Sequence, residues 1–162
     1  MPFTRDQAYA ALASLSPAQV FLDSYRTQKL PENLEIYFGP PEEFFIAPDT
    51  QALYSKNRLI PILDDGNFGL VTFLDPDTRK LIQMDIESPD EDRVPFNHWQ
   101  QYLADLMITI GESVDSDDLL PDGRPDRFHP RRRIVRLFDQ TEDVSDDAWS
   151  EARRQFLASI RP

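Results

Sequence analysis

Apolar residues along this chain follow two different rhythms, and the change between them divides the sequence. The first third spaces them by three and four, as helices do. In "MPFTRDQAYAALASL", Thr4 can cap a short helix that carries Ala8, Leu12 and Leu15. Ser16-Pro17 is a second start signal, a capping Ser followed by Pro at the first helical position, with Phe21, Leu22 and Tyr25 forming the apolar face beyond it. Pro31 in "KLPENLEIYFGPPEE" suits the first turn of a third helix, which Gly39-Pro40-Pro41 must end. "EEFFIAP" is a short strand candidate and "PDTQALYSKN" a short helix.

From Leu59 the period shortens. "RLIPIL" is a continuous apolar run, "FGLVTFL" is apolar at nearly every position, and "KLIQMDI" alternates, with Ile82, Met84 and Ile86 on one face. These predict strands over Leu59–Leu63, Phe68–Leu74 and Lys80–Ile86, paired antiparallel in a meander. The segments between them, "DDGN" and "DPDTR", hold what turns require: Gly66 for a positive φ, Asp and Asn that tolerate one, and Pro76 to pre-set the first turn dihedral. Asp64, Asp65, Asn67, Asp75, Asp77 and Asp85 could also suggest a metal or catalytic loop. A calcium loop needs ligands at positions 1, 3 and 5, Gly at 6 and Glu at 12, and neither "DDGNFGLVTFLD" nor "DSDDLLPDGRPD" fits. Turn chemistry at hairpin tips is the better reading of these acids.

After "ESPDEDR" a helix is expected from about Phe96 to Ile110, with Phe96, Trp99, Leu103, Leu106, Met107 and Ile110 on one face and His98, Gln101 and Asp105 opposite. Its apolar face is expected to cover one side of the sheet. Beyond Gly111 the pattern changes to a polar, turn-rich stretch, then "RRRIVRLF", a basic strand candidate, then a terminal helix in "SDDAWSEARRQFLASI". Ser145 would cap that helix, and Trp149, Ala152, Phe156 and Ile160 share a face. The organisation expected is an α+β domain over residues 1–111, with an antiparallel sheet packed against helices. A C-terminal extension over 112–162 folds back on it.

Composition narrows the function. A chain of 162 residues, 40% of them hydrophobic, can bury one sizeable core. It has no Cys, which excludes disulfides, thiolate zinc sites and Cys nucleophiles and suits a reducing compartment. Charged residues interrupt the N-terminal stretch where a signal peptide needs an apolar core, and no run approaches the ~20 apolar residues that span a bilayer. A cytoplasmic protein without a membrane partner is expected. Net charge is −12, and Asp85–Asp118 holds ten acidic residues against one basic residue, Arg93. Such a field repels nucleic acid and attracts cationic partners, although it can equally be a solvated surface that keeps the chain soluble.

Candidate chemistry is sparse. His98 and His129 are the two histidines; neither is accompanied by a Ser or Cys motif, and without cysteines they make a weak metal case. Five glycines form no phosphate-binding pattern. Neither a cofactor nor a metal is expected. Arg124, Arg127, Arg131, Arg132, Arg133 and Arg136 cluster within thirteen residues and could hold phosphate, but acids on both sides favour local charge neutralisation instead.

"LPENLEIYF", "FFIAPDTQAL", "LIPILDDGNFGLVTFLDPDTRKLIQMDIE" and "VPFNHWQQYLADLM" resemble, in that order, segments of the SUKH superfamily. That group includes a yeast cell-wall-synthesis regulator and many bacterial toxin-immunity proteins. The matching elements are the Leu-Pro helix start, the strand-to-helix passage, the hairpin ending in paired acids and the closing Phe-containing helix. The likeness covers roughly Ser16 to Gly111, and "FGPPEEF" stands where the family usually has a Gly-Gly element. The resemblance implies a non-enzymatic α+β protein that binds and neutralises a cognate toxin, such as a nuclease. Joined to the charge distribution, it makes a basic toxin domain the expected partner and Asp85, Glu87, Asp90, Glu91 and Asp92 the expected contact residues. A regulatory or scaffold protein of the same fold is the alternative, followed by a carboxylate-dependent hydrolase.

Overall fold

A computed structural model describes residues 1–27, 34–56, 58–88, 93–113, 131–141 and 143–162. The fold is α+β, with seven helices and one four-stranded antiparallel sheet among the described residues. The chain divides into two compact units, Met1–Trp99 and Gln100–Pro162.

In the first unit, α1 (Arg5–Ala13) starts as its sequence predicts. Thr4 accepts from the Gln7 amide while the Gln7 side chain returns to the Thr4 amide, a reciprocal cap that satisfies two otherwise orphaned donors. Helix α2 (Gln19–Thr27) follows, with Phe21 and Tyr25 buried. The start of the expected third helix lies outside the described residues, and Leu34–Tyr37 forms a hydrogen-bonded turn. "EEFFI" is not a strand. It forms α3 (Glu42–Ile46), and α4 (Pro48–Ser55) begins two residues later. Acids in the first turn favour the helix, and burying the single anchor Phe44 needs one inward position rather than a paired edge.

The sheet is the expected meander with one strand added. Strands β1 (Ile60–Asp64), β2 (Leu70–Leu74), β3 (Leu81–Asp85) and β4 (Arg93–Phe96) lie in chain order. Phe96 therefore belongs to β4 and not to a helix, a correction to the sequence reading. Pro95 hid that strand, because proline cannot donate to a ladder; it is tolerated here since β4 is an edge strand, as Pro61 is in β1. Val71, Phe73 and Met84 pack with Phe44 into a core flanked by Tyr54, Leu59, Phe68, Ile82 and Ile86. A second aromatic group joins Phe21 to Phe38 and, edge to face at 5.2 Å between centroids, to Trp99.

In the second unit, α5 (Trp99–Ser113), α6 (Arg131–Thr141) and α7 (Asp146–Ala158) pack around Ile108, Ile134, Leu137, Phe138, Trp149, Ala152 and Phe156. "RRRIVRLF" is thus a helix, not the expected basic strand. Its β-branched pair suggested extension, but Ile134, Leu137 and Phe138 are spaced three and four apart, and arginine is a good helix former. Ser145 caps α7 as expected. The polar side of α5 that carries Gln101 and Asp105 faces α7. Gln101 donates to the Leu157 carbonyl, and Arg153 reaches Asp105 at 2.8 Å, Thr109 at 3.0 Å and Glu112 at 3.4 Å. Polar residues here mark a hydrogen-bonded helix contact, which periodicity alone reads as surface.

Candidate binding site

The aspartates of the central hairpins first act as turn formers. Asp64 Oδ1 accepts from the Gly66 amide, Asp65 Oδ1 from the Asn67 and Gly69 amides, Asp75 Oδ1 from Asp77 and Thr78, and Asp85 Oδ1 from Glu87 and Ser88. Each carboxylate replaces a backbone acceptor at a bend. The Asp77 amide and then the Thr78 contacts hold the Asp75 carboxyl below its ordinary range. Gly66 takes φ +78°, as its place in the turn demands.

The register then gathers these acids unevenly. Asp64 pairs with Val71 and Leu70 pairs with Asp85, so the β1–β2 hairpin and the end of β3 share one end of the sheet. Asp64, Asp65, Asp85 and Glu87 all stand at that end. The opposite end carries Arg58, Arg79 and Lys80 beside Asp75 and Asp77, with Arg58 and Asp77 3.5 Å apart. The two ends therefore differ in charge although their turns are built alike.

A third segment completes the acidic end. Gly39 and Asp64 exchange backbone hydrogen bonds of 3.1 and 2.9 Å, which draws Glu35–Glu43 against the hairpin. Between them opens a cavity of about 520 Å³, lined by Glu35, Glu42, Glu43 and Asp64 with Phe38 and Phe68. Arg5 pairs with Glu42, donates to the Tyr25 carbonyl and lies over the Tyr25 ring, so Glu42 is already neutralised. Glu43 is exposed.

Asp64 differs from the other turn acids. It is only 9% exposed, and among the described residues the Gly66 amide is the one donor to its side chain. Burial pushes its carboxyl up to about 6, against the lowering effect of the Gly66 bond and with Asp65 and Glu43 adding repulsion. Asp64 forms its turn as expected but is buried, because the segment around Gly39, distant in sequence, covers it.

This burial makes folding stability depend on pH. The native state binds the Asp64 proton more tightly than the unfolded chain, so the contribution of this group is greatest below about pH 4 and falls as pH rises towards 6. Asp64→Asn retains an acceptor for Gly66 and removes the buried charge. It should raise stability at pH 7 by on the order of 1–3 kcal/mol more than at pH 4, as measured by urea denaturation at both values. Equal effects at the two pH values would show that the carboxylate is not destabilised by its surroundings.

The expected contact residues are only partly described. Asp85 is half-buried and bound into its turn, and Glu87 is exposed beside it; Asp90, Glu91 and Asp92 lie outside the described residues. His98 is half-buried, and His129 is outside the described residues, as are Arg124 and Arg127. Of the basic cluster, Arg133 lies over the Phe156 ring and donates to Ser159. Sequence reasoning missed Glu35, in "NLEIYF", and Glu42 and Glu43, whose only local signal was "PPEEF" after a glycine.

Among the described residues no three His, Asp or Glu side chains converge closely enough to hold a metal ion. No described helix is long and apolar enough to cross a membrane. No family model, curated protein or solved structure matches the chain. What the described residues provide is an acidic cavity with aromatic walls, in which burial raises the proton affinity of Asp64.

Proposed function

We propose that this chain is a non-enzymatic cytoplasmic binding protein that docks its acidic sheet end over a cationic surface of a protein partner. The carrying observation is the convergence of Glu35, Glu43, Asp64, Asp65, Asp85 and Glu87 from three separate chain segments onto that end. The SUKH resemblance supplies the role, immunity against a basic toxin domain of the bacterial kind. Charge so placed accelerates encounter and selects partners more than it adds affinity. Affinity needs apolar anchors, and Ile36 and Leu70, 56% and 39% exposed near the same hairpin, supply candidates.

The test is association with the product of the gene adjoining this one. A stable complex that also relieves that product's toxicity on co-expression supports the immunity role; a complex with a non-toxic protein favours the scaffold alternative. Replacing Glu87, Asp90, Glu91 and Asp92 together by Gln or Asn should leave the fold intact, slow association about tenfold at low salt and flatten its salt dependence. Unchanged kinetics at low and high salt would remove Glu87 and the acids that follow it from the binding surface.

A second reading has its own observation. A cavity carboxyl held near pH 6, such as Asp64, suits a general acid in a hydrolase. Hydrolysis of an ester or glycoside panel that disappears in Asp64→Asn would favour it.

A further inference from the structure

Resting on the binding-protein reading, we infer that the cavity between the β1–β2 hairpin and the Glu35–Glu43 segment receives one arginine side chain of the partner. Two observations of different kinds point there. The first is the shape and lining of the cavity. At about 520 Å³ it falls within the range of ligand-sized pockets, its lining includes the aromatic residues Phe38 and Phe68, and its acids are Glu35, Glu42, Glu43 and Asp64. The second is Asp64 itself, nine-tenths buried, lining the cavity and holding the Gly66 amide at Oδ1.

A charged carboxylate held this way is disfavoured by burial, and a cation beside it would offset that cost. The charges that raise its proton affinity, Asp65 and Glu43, are themselves negative, and Arg5 is committed to Glu42 and Tyr25. A guanidinium suits this lining better than an ammonium. It is planar, weakly hydrated, able to fork to a carboxylate and able to stack on an aromatic ring. The chain already shows the combination next door, where Arg5 meets a carboxylate, a carbonyl and a tyrosine ring together. Exposed Ile36, whose Cα lies 3.2 Å from where a Gly66 Cβ would sit, borders the site and favours an arginine presented by a polypeptide over a free guanidine.

The test uses the full chain and three blocked amino acids, the Nα-acetyl methylamides of arginine, lysine and citrulline, followed by amide chemical shifts in NMR titration. The arginine compound should give saturable shifts centred on Gly39, Gly66 and Phe68, and bind about tenfold more tightly than the other two. Citrulline removes the charge and keeps the shape; lysine keeps the charge and removes the fork. Placing the arginine between two leucines in a peptide should tighten binding further. Asp64→Asn should abolish the specific shifts, and Glu43→Gln, at an exposed position, should weaken them without disturbing the fold. Equal response to arginine and lysine, or shifts spread over every acidic loop, would overturn the inference. So would strong binding of the single amino acid with no gain in the peptide, which would assign the site to a free guanidine. A partner complex unaffected by Asp64→Asn removes the arginine site and leaves the binding function standing. Arginine binding without any complex with the adjoining gene product does the reverse.

Discussion

Trp99→Ala should destabilise the protein by about 3–5 kcal/mol, a large loss for one truncated side chain. Trp99 is 4% exposed and meets the Phe21 ring edge to face, and Phe21 in turn packs at 4.4 Å on Phe38. Removing the indole leaves a cavity that two aromatic neighbours from different segments must collapse to fill, and rigid rings collapse poorly. Urea denaturation of the variant would show the loss as a lowered midpoint with an unchanged slope. A change below about 1 kcal/mol would mean that the aromatic group does not carry the packing assigned to it.

Gly66→Ala should cost about 2–4 kcal/mol through two effects that add. The φ of +78° is strained for any side chain, and a Cβ there would sit 2.0 Å from the Glu35 carbonyl oxygen, so backbone must move. The movement would separate the Glu35 segment from the hairpin, opening the proposed arginine site as well as lowering stability. Gly39→Ala is the control. Its Cβ would meet only Asp64 Oδ1 at 3.5 Å, an ordinary contact, and its φ is not positive, so it should cost about 1 kcal/mol or less. If the two variants proved equally stable in thermal and urea denaturation, the close approach at Gly66 would be refuted.

Charge steering from the acidic end and the buried carboxylate of Asp64 act on different quantities. In the proposed complex, an exposed acid such as Glu87 is expected to set how fast a cationic partner arrives and how strongly salt opposes it. Asp64, covered by the Gly39 segment, is the proposed determinant of what is accepted after arrival, and its buried charge is expected to lower folding stability at neutral pH. Substituting Glu87 is therefore expected to change association, whereas substituting Asp64 is expected to change specificity and the pH dependence of folding.

Local patterning by itself determined much of this protein. Strands Ile60–Asp64, Leu70–Leu74 and Leu81–Asp85 were legible because turn residues and alternating apolar positions agree there, and caps at Thr4 and Ser145 were legible because capping is a contact within four residues. The turn roles of Asp64, Asp65, Asp75 and Asp85 were legible for the same reason. Where two local signals conflicted, the sequence misled: Pro95 concealed an edge strand, and the Ile134-Val135 pair disguised a helix. Only the tertiary structure decided that Asp64 is buried, that Glu35 and Glu43 stand beside it, and that Gln101 and Asp105 face another helix. These facts depend on a bridge from Gly39 to Asp64 and on bonds from α5 to α7, contacts between residues some 25 to 56 positions apart. Periodicity reports which side of an element is apolar. What comes to lie against that side is set by the folded chain, through distant partners that no local spacing encodes.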